Sequence, residues 1–409
     1  MTATYQHRSD LIRVTYKVLS DTLIDPEKKA KAIALGQTTD TWTPTDLSGK
    51  KQLAKYTAAI LGIDERTHVE GHPYEYYLTI GFPPANTEDD IPSLLTMIFG
   101  KPSMDGRIRV ESIEFPDDYL KGKGPRFGVL GIREKVSEPE KPLAMAIFKP
   151  CVGLSPTALG EMFYELACGG MHLVKDDEIM PDLSICPTEK RLEACLKAGQ
   201  RAKQETGQTT LYAINVTGTA GHIVSKAKKL AKLGAQCFLL NVLSYGYGVL
   251  EELRDIGVPI MAHPALAGAW CGSADRGFAY SVVLGSLMRL AGADIVLFPS
   301  SYGTVALPPT ETKSIKEALT WTMGPFAKTF PAPSAGIHPG LVPVLLKDYG
   351  TDVIINAGGG VHGHPKGSRA GAKAFRQAIN WVTKRGNFGG ISEREFPELA
   401  AALRLWGKR

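Results

Sequence analysis

Two textures of apolar and polar positions divide this chain. From residue 1 to 139 the runs are irregular and mixed. LIRVTYKV (11–18), EYYLTIGFP (75–83) and RIRVESIEF (107–115) carry the alternation and β-branched or aromatic content of strands. DPEKKAKAIALGQ (25–37) opens on Asp25-Pro26, a helix start, and IPSLLTMIF (91–99) reads as a short helix. Together they predict a compact α+β domain. Pro139 and Pro142, with their charged neighbours in SEPEKP (137–142), mark its boundary.

From residue 140 onward, short apolar runs recur with helical patterns between them. The runs are 142–150, 171–175, 209–216, 236–242, 258–264, 294–300, 330–336 and 352–358. Segments such as SPTALGEMFYELA, TEKRLEACLKAGQRAK, SKAKKLAKLG and RGFAYSVVLGSLMRLAG carry the helical period. Near-continuous apolar strands belong to sheets covered on both faces. Eight strand–helix units predict a (β/α)8 TIM barrel over 140–409, with REFPELAAALRLW as a C-terminal helical extension. The fold class is therefore α/β, a C-terminal barrel behind an N-terminal α+β domain.

Such barrels do chemistry at the C-terminal ends of their strands. There this chain places Lys149, Lys175-Asp176-Asp177-Glu178, Asn215, Asn241, His263, Ser300-Ser301, Ser334 to His338, and Asn356 to Gly360. Three acids beside a lysine suit a hard divalent cation on oxygen ligands. Lys175 follows an apolar run, and its chemistry has three readings: a depressed-pKa base or nucleophile, an ion pair, or a carbamate formed with CO2. Gly358-Gly359-Gly360, with Ser334 and Gly336 in the preceding loop, suit phosphate held by backbone N–H groups. The pair His362 and His364 reads as loop near that phosphate rather than as metal ligands.

Composition narrows the picture by exclusion. The formal charge is +5, from 47 basic and 42 acidic residues that are interspersed, so no nucleic-acid footprint is expected. Six cysteines without close pairs suggest neither a disulfide scaffold nor a zinc-thiolate site, and predict a reducing, cytoplasmic setting. No apolar stretch reaches membrane-spanning length, so no membrane partner is expected.

The stretch Gly170 to Glu178, GMHLVKDDE, is similar to the activation motif of the ribulose-bisphosphate carboxylase large chain. Thr41-Trp42-Thr43, Phe148-Lys149-Pro150, His263, Ser334-Ala335-Gly336-Ile337-His338 and Gly358-Gly359-Gly360 resemble further signatures of that family, in the same order. The resemblance covers nearly the whole chain and implies that the N-terminal α+β domain is ferredoxin-like. It implies a homodimer, or a higher oligomer built from it, with active sites at the subunit interface. It also implies one Mg2+ per site on carbamylated Lys175, Asp177 and Glu178, the carbamate coming from CO2. Substrate and phosphate would lie on His263, Ser334, Gly336, His338, Gly358 and Gly359.

The departures from the carboxylases concern function. Cys151 stands where they have a second lysine, Met97 where they have an asparagine, and Pro264 where an arginine grips a second phosphate. Their N-terminal glutamate falls at Gly36, and Ser301 to Pro308 supplies no loop lysine. Carbon fixation is therefore not expected. Phe99-Gly100-Lys101 with Ser103-Met104-Asp105-Gly106, Ala262-His263-Pro264-Ala265 and Pro333 to Gly340 instead resemble the carboxylase-like branch that works in methionine salvage. That resemblance implies an Mg2+-dependent enolase of 2,3-diketo-5-methylthiopentyl-1-phosphate, with Lys101 as general base, Lys149 stabilising the enolate and Lys175 catalytic through the metal. Two alternatives stand beside it. One is an isomerase, transcarboxylase or hydrolase acting on another sugar or keto-acid monophosphate. The other is a non-catalytic binding protein on the same fold.

Overall fold

A computed structural model of the chain describes residues 9–41, 43, 45–46 and 50–407. Trp42 of the Thr41-Trp42-Thr43 motif lies outside the described residues. The N-terminal part runs β1 (Ile12–Ser20), helix Pro26–Gly36, β2 (Ala59–Glu65), β3 (Tyr74–Phe82), helix Ile91–Phe99 and β4 (Arg107–Glu114). Its strands lie in the order β4-β1-β3-β2 with antiparallel neighbours, the ferredoxin-like arrangement. Local chemistry explains the elements. Ile12, Val14, Tyr16 and Val18 alternate into the core along β1. The Asp25 carboxylate accepts from the Glu27 and Lys28 amides and caps the first helix, whose first residue is Pro26. The two helices and three strands anticipated here are all present. β2 was not anticipated. It is an edge strand with no fully buried residue, and its register shifts at Gly62.

The barrel is built from β5 (Leu143–Ile147), β6 (Leu173–Lys175), β7 (Leu211–Asn215), β8 (Cys237–Asn241) and β9 (Ile260–His263). Then comes β10 (Gly277–Phe278), followed by β11 (Ile295–Pro299), β12 (Phe330–Ser334) and β13 (Ile354–Ala357). All of these but β10 form one parallel sheet in the order β12-β11-β9-β8-β7-β6-β5-β13. Each lies within one of the eight runs read from the sequence. β10 is the exception: it pairs parallel with β4 and becomes the fifth strand of the N-terminal sheet. The segment 276–292, whose pattern reads as helix throughout, thus opens with a strand, and its helical part begins only after Tyr280.

The barrel is nearly closed, with one seam between β12 and β13. The β12 sequence gives the reason. Phe330 donates to Asp294 and Ser334 accepts from Ser300, so the even positions face β11. The odd positions face β13, and both are proline, which has no N–H to donate. A side-chain bond spans the seam instead, from Asn356 Nδ2 to Ser334 Oγ at 2.7 Å.

The barrel interior is filled by inward-facing residues such as Met145, Leu173, Leu239, Met261, Leu297 and Phe330, packed with Val129, Ile132 and Val136. Those last three belong to helix Gly128–Val136, which precedes the proline-rich stretch 137–142 yet plugs the bottom of the barrel. Buried Asp294 anchors it, accepting from the amides of Phe127, Gly128 and Ile260 at 2.7, 2.8 and 2.9 Å. With its N-terminal end plugged, the barrel opens only at the C-terminal ends of its strands. Among the described residues no helix is long and apolar enough to cross a membrane.

Candidate active site

Strand alternation decides which way each residue of the Lys175–Glu178 turn points. Leu173 faces the barrel interior, so Lys175 and Asp177 face it too, while Asp176 turns outward to helix Thr188–Thr206. Asp176 is fully buried there. It accepts from Tyr212 Oη at 2.5 Å, Arg191 Nε at 3.0 Å and the Asn215 amide at 2.8 Å. Every group of this network is buried, and a buried carboxylate with three donors is fixed in place. Asn215 Nδ2 then holds the carbonyls of Asp177 and Glu178 at 3.2 and 3.0 Å, and Asn241 Nδ2 holds that of Glu178 at 2.9 Å. The turn is thus scaffolded from outside by Arg191 and Tyr212, and from its neighbours by two asparagines. The two asparagines are among the strand-end candidates read from the sequence; Arg191 and Tyr212 are not. Arg191 has a legible signal: it shares a helical face with Leu192, Cys195, Ala198 and Ala202, an arginine on an apolar stripe.

Two lysines meet the acids from opposite sides. Lys175 is fully buried; its Nζ donates to the Asp176 carbonyl at 2.9 Å and stands 3.6 Å from Glu178 Oε2. Burial dominates there and lowers its pKa against the pull of Glu178, Asp177 and Asp176. Lys149, partly open to solvent, donates to Asp177 Oδ2 at 2.6 Å and lies 3.0 Å from Cys151 Sγ. Burial lowers its pKa as well, but the bonds to Asp177 and Cys151 outweigh it and hold the ammonium form firmly. Asp177 is driven up by burial and, more strongly, down by Lys149 and the Ile179 amide, so it stays ionised. His263 Nδ1 accepts from the Ala265 amide at 3.1 Å, which leaves the proton on Nε2, 3.4 Å from Glu178 Oε2. Burial first, then Lys175, push this imidazole down to about 3, so it is neutral.

These groups form the floor of a cavity of about 390 Å³ at the open end of the barrel. Its lining includes Ser334, Gly336, Asn356, Gly358 and Gly359, together with Pro264, Pro299, Thr304 and Val305. The loops after β11 and β12 touch. A side chain at Gly303 would place its Cβ 1.5 Å from the Ala335 carbonyl, and Gly336 combines φ +68° with backbone of the neighbouring loop at 2.8 Å.

The structure brings Lys149, Lys175, Asp177, Glu178, His263, Ser334, Gly336, Gly358 and Gly359 together at this end of the barrel. It does not bring His338 or Lys101 there within one chain. His338 is turned toward the C-terminal helix, its ring 6.0 Å from that of Trp406. Lys101 is exposed on the N-terminal domain, beside a separate hollow of about 380 Å³ with Lys28, Lys31 and Gly36. His362 bonds the Ile147 carbonyl and Ser368, and His364 the Glu398 carbonyl, so both rings serve the loop. Among the described residues, no three His, Cys, Asp or Glu side chains gather as a ready metal site. The oxygen donors at the floor are Asp177 and Glu178, with a neutral-leaning amine beside them in the third place.

The family model of the ribulose bisphosphate carboxylase large chain, catalytic domain, matches residues 128–406. The chain is 45% identical over 395 residues to a 2,3-diketo-5-methylthiopentyl-1-phosphate enolase of Bacillus licheniformis, covering 96% of this chain and 97% of that one. A solved Rubisco-like protein of Alicyclobacillus acidocaldarius superposes with a TM-score of 0.89 at 42% identity, over 97% of this chain and all (100%) of that one. An octameric Rubisco of Pyrococcus horikoshii gives 0.89 at 30% identity, over 98% and 95%. Matched in its catalytic domain and along nearly its full length, the chain belongs to the ribulose bisphosphate carboxylase large-chain family, in the branch of the 2,3-diketo-5-methylthiopentyl-1-phosphate enolases.

Proposed function

We propose that the protein enolises a phosphorylated 2,3-diketone, 2,3-diketo-5-methylthiopentyl-1-phosphate, and does not fix CO2. The observation that carries this reading is Lys175, a fully buried amine with a lowered pKa, 3.6 Å from Glu178 at the floor of a cavity of about 390 Å³. A neutral amine adds to CO2 and loses a proton to become a carbamate, the third anionic oxygen ligand the floor lacks. Carbamylated Lys175, Asp177 and Glu178 would then hold one Mg2+, which when bound polarises the substrate carbonyl as a Lewis acid. The Lys149 ammonium faces the same carboxylate and supplies fixed positive charge where enolate charge develops. Neutral His263 donates from Nε2. Backbone amides around Gly358-Gly359 and Ser334 to Gly336 suit the single phosphate.

Lys101 is the proposed general base. Within one chain it stands apart from the barrel cavity, so a homodimer that sets Lys101 of the partner subunit over the barrel mouth is part of the proposal. Carboxylation is disfavoured because the loop after β11 offers no lysine and Pro264 occupies the position after His263.

The test is proton exchange and turnover, with Mg2+ and bicarbonate, across a panel. It comprises the methylthio diketone phosphate, methylthioribulose phosphate and keto-acid phosphates. Metal- and bicarbonate-dependent turnover of the first is expected. Turnover confined to the others overturns the assignment.

A further inference from the structure

We infer that Lys28 and Lys31, on the helix beside Lys101, form a cationic collar that captures the phosphate dianion of the substrate, and that they set its rate of capture rather than the chemistry. The inference rests on the proposal above that this face covers the barrel mouth of a second subunit.

The charge balance of the barrel mouth calls for such a collar. At its floor the ammonium groups of Lys149 and Lys175 face the carboxylates of Asp177 and Glu178, so lysines and acids are matched one for one. Mg2+ on carbamylated Lys175, Asp177 and Glu178 would keep that balance, because three anionic ligands would meet a doubly charged ion and the Lys149 ammonium. In either state the cavity offers a phosphate backbone N–H groups at close range and little attraction at a distance.

The hollow beside Lys101 has the opposite balance. Lys28, Lys31, Ala32 and Leu35 line it from one face of helix Pro26–Gly36, at the spacing of helical neighbours. Lys101 enters from the turn after helix Ile91–Phe99. Among the described residues Asp105 is the one carboxylate in the lining, and Lys29 already holds it at 2.9 Å. Asp25 and Glu27, at the start of the helix, lie outside the lining. Lys28, Lys31 and Lys101 are all exposed, and none of them makes an ion pair among the described residues. Lysines without acid partners around a space of about 380 Å³ repel one another, and an anion at the hollow relieves that repulsion.

The test compares kcat and kcat/KM of the full-length enzyme, in Mg2+ and bicarbonate, at about 20 mM and about 500 mM ionic strength. Calorimetric titration with pentyl phosphate, an unreactive monophosphate, accompanies it. At low salt Lys28→Gln and Lys31→Gln are each expected to lower kcat/KM about 3-fold and together about 10-fold, with kcat within about 2-fold of native. Pentyl phosphate should bind the double variant about 10-fold more weakly. At high salt these differences should vanish, and arginine at either position should preserve native values at both salts. Both side chains are exposed on a helix and glutamine is a good helix former, so the fold is not endangered. Native kcat/KM in the double glutamine variant at low salt overturns the inference. So does a loss that high salt leaves intact, a loss that falls on kcat, or an arginine variant as impaired as the glutamine one. A native protein that leaves the diketone unchanged, while the double variant still loses pentyl phosphate affinity at low salt alone, keeps the collar and removes only the proposed reaction.

Discussion

The two site lysines show how position alone sets the chemistry of one residue type. Both face carboxylates, yet Lys175 is driven toward the neutral amine by complete burial, and Lys149 toward the ammonium by a 2.6 Å bond to Asp177. A reactive amine and a fixed cation thus arise 26 residues apart in the same floor. Away from the site, Glu251 displays burial acting without adequate compensation. Burial pushes its pKa up to about 7, with Asp90 adding and Lys123 opposing. A carboxyl raised in the folded state above its unfolded value of 4.5 binds more protons when folded, so it favours folding at low pH and loses that contribution as pH rises through 7. Glu251→Gln is therefore expected to gain about 1 kcal/mol of stability at pH 8, discounted for partial solvent screening, and nothing at pH 4. Urea unfolding at the two pH values measures this; an equal gain at both would show that ionisation is not the cause.

At the scale of elements, β10 joins the two parts of the chain. Phe278 is buried, with ring centroids 4.7 Å from Phe99 and 5.8 Å from Trp270, so a barrel residue packs on a helix of the N-terminal domain. Phe278→Ala is expected to cost about 3 kcal/mol and to open the N-terminal sheet to limited proteolysis before the barrel. Unchanged stability would show that β10 is not structural. Element by element, legibility followed burial. The eight barrel strands stood out because both their faces are covered, which leaves a run of apolar residues. β2 was hidden by its half-buried, glycine-broken edge, and β10 by being two residues long inside a helical pattern. In the site, Lys175 to Glu178 could be read from local sequence. The Lys149–Asp177 bond could not, because it joins two strand ends through the curvature of the barrel. His338 was placed by its motif, but the return of helix Pro397–Trp406 gives its ring a neighbour far along the chain.

At the scale of the whole molecule, the proposed function requires the open barrel end and the exposed face bearing Lys101, which one chain keeps apart, to meet between two subunits. A chain with Lys101→Ala and a chain with Lys175→Ala should each be inactive alone. Co-refolded in equal amounts, they should recover about a quarter of native activity, since half the dimers are mixed and each mixed dimer restores one of its two sites. No recovery, with mixed dimers demonstrated by mass, would place the whole site within a single chain.

β10 also sets an order of assembly. The free edge of β4 is covered by a strand that leaves the ribosome more than 160 residues later, after five barrel strands have been made. Until then the N-terminal sheet carries an unpaired edge, the kind that recruits other chains. In a polysome, neighbouring nascent chains would display the same edge at the same time. Synthesis past Phe278 is therefore the step that ends the risk of mispairing, and a pause in translation before it is where aggregation of this protein should begin.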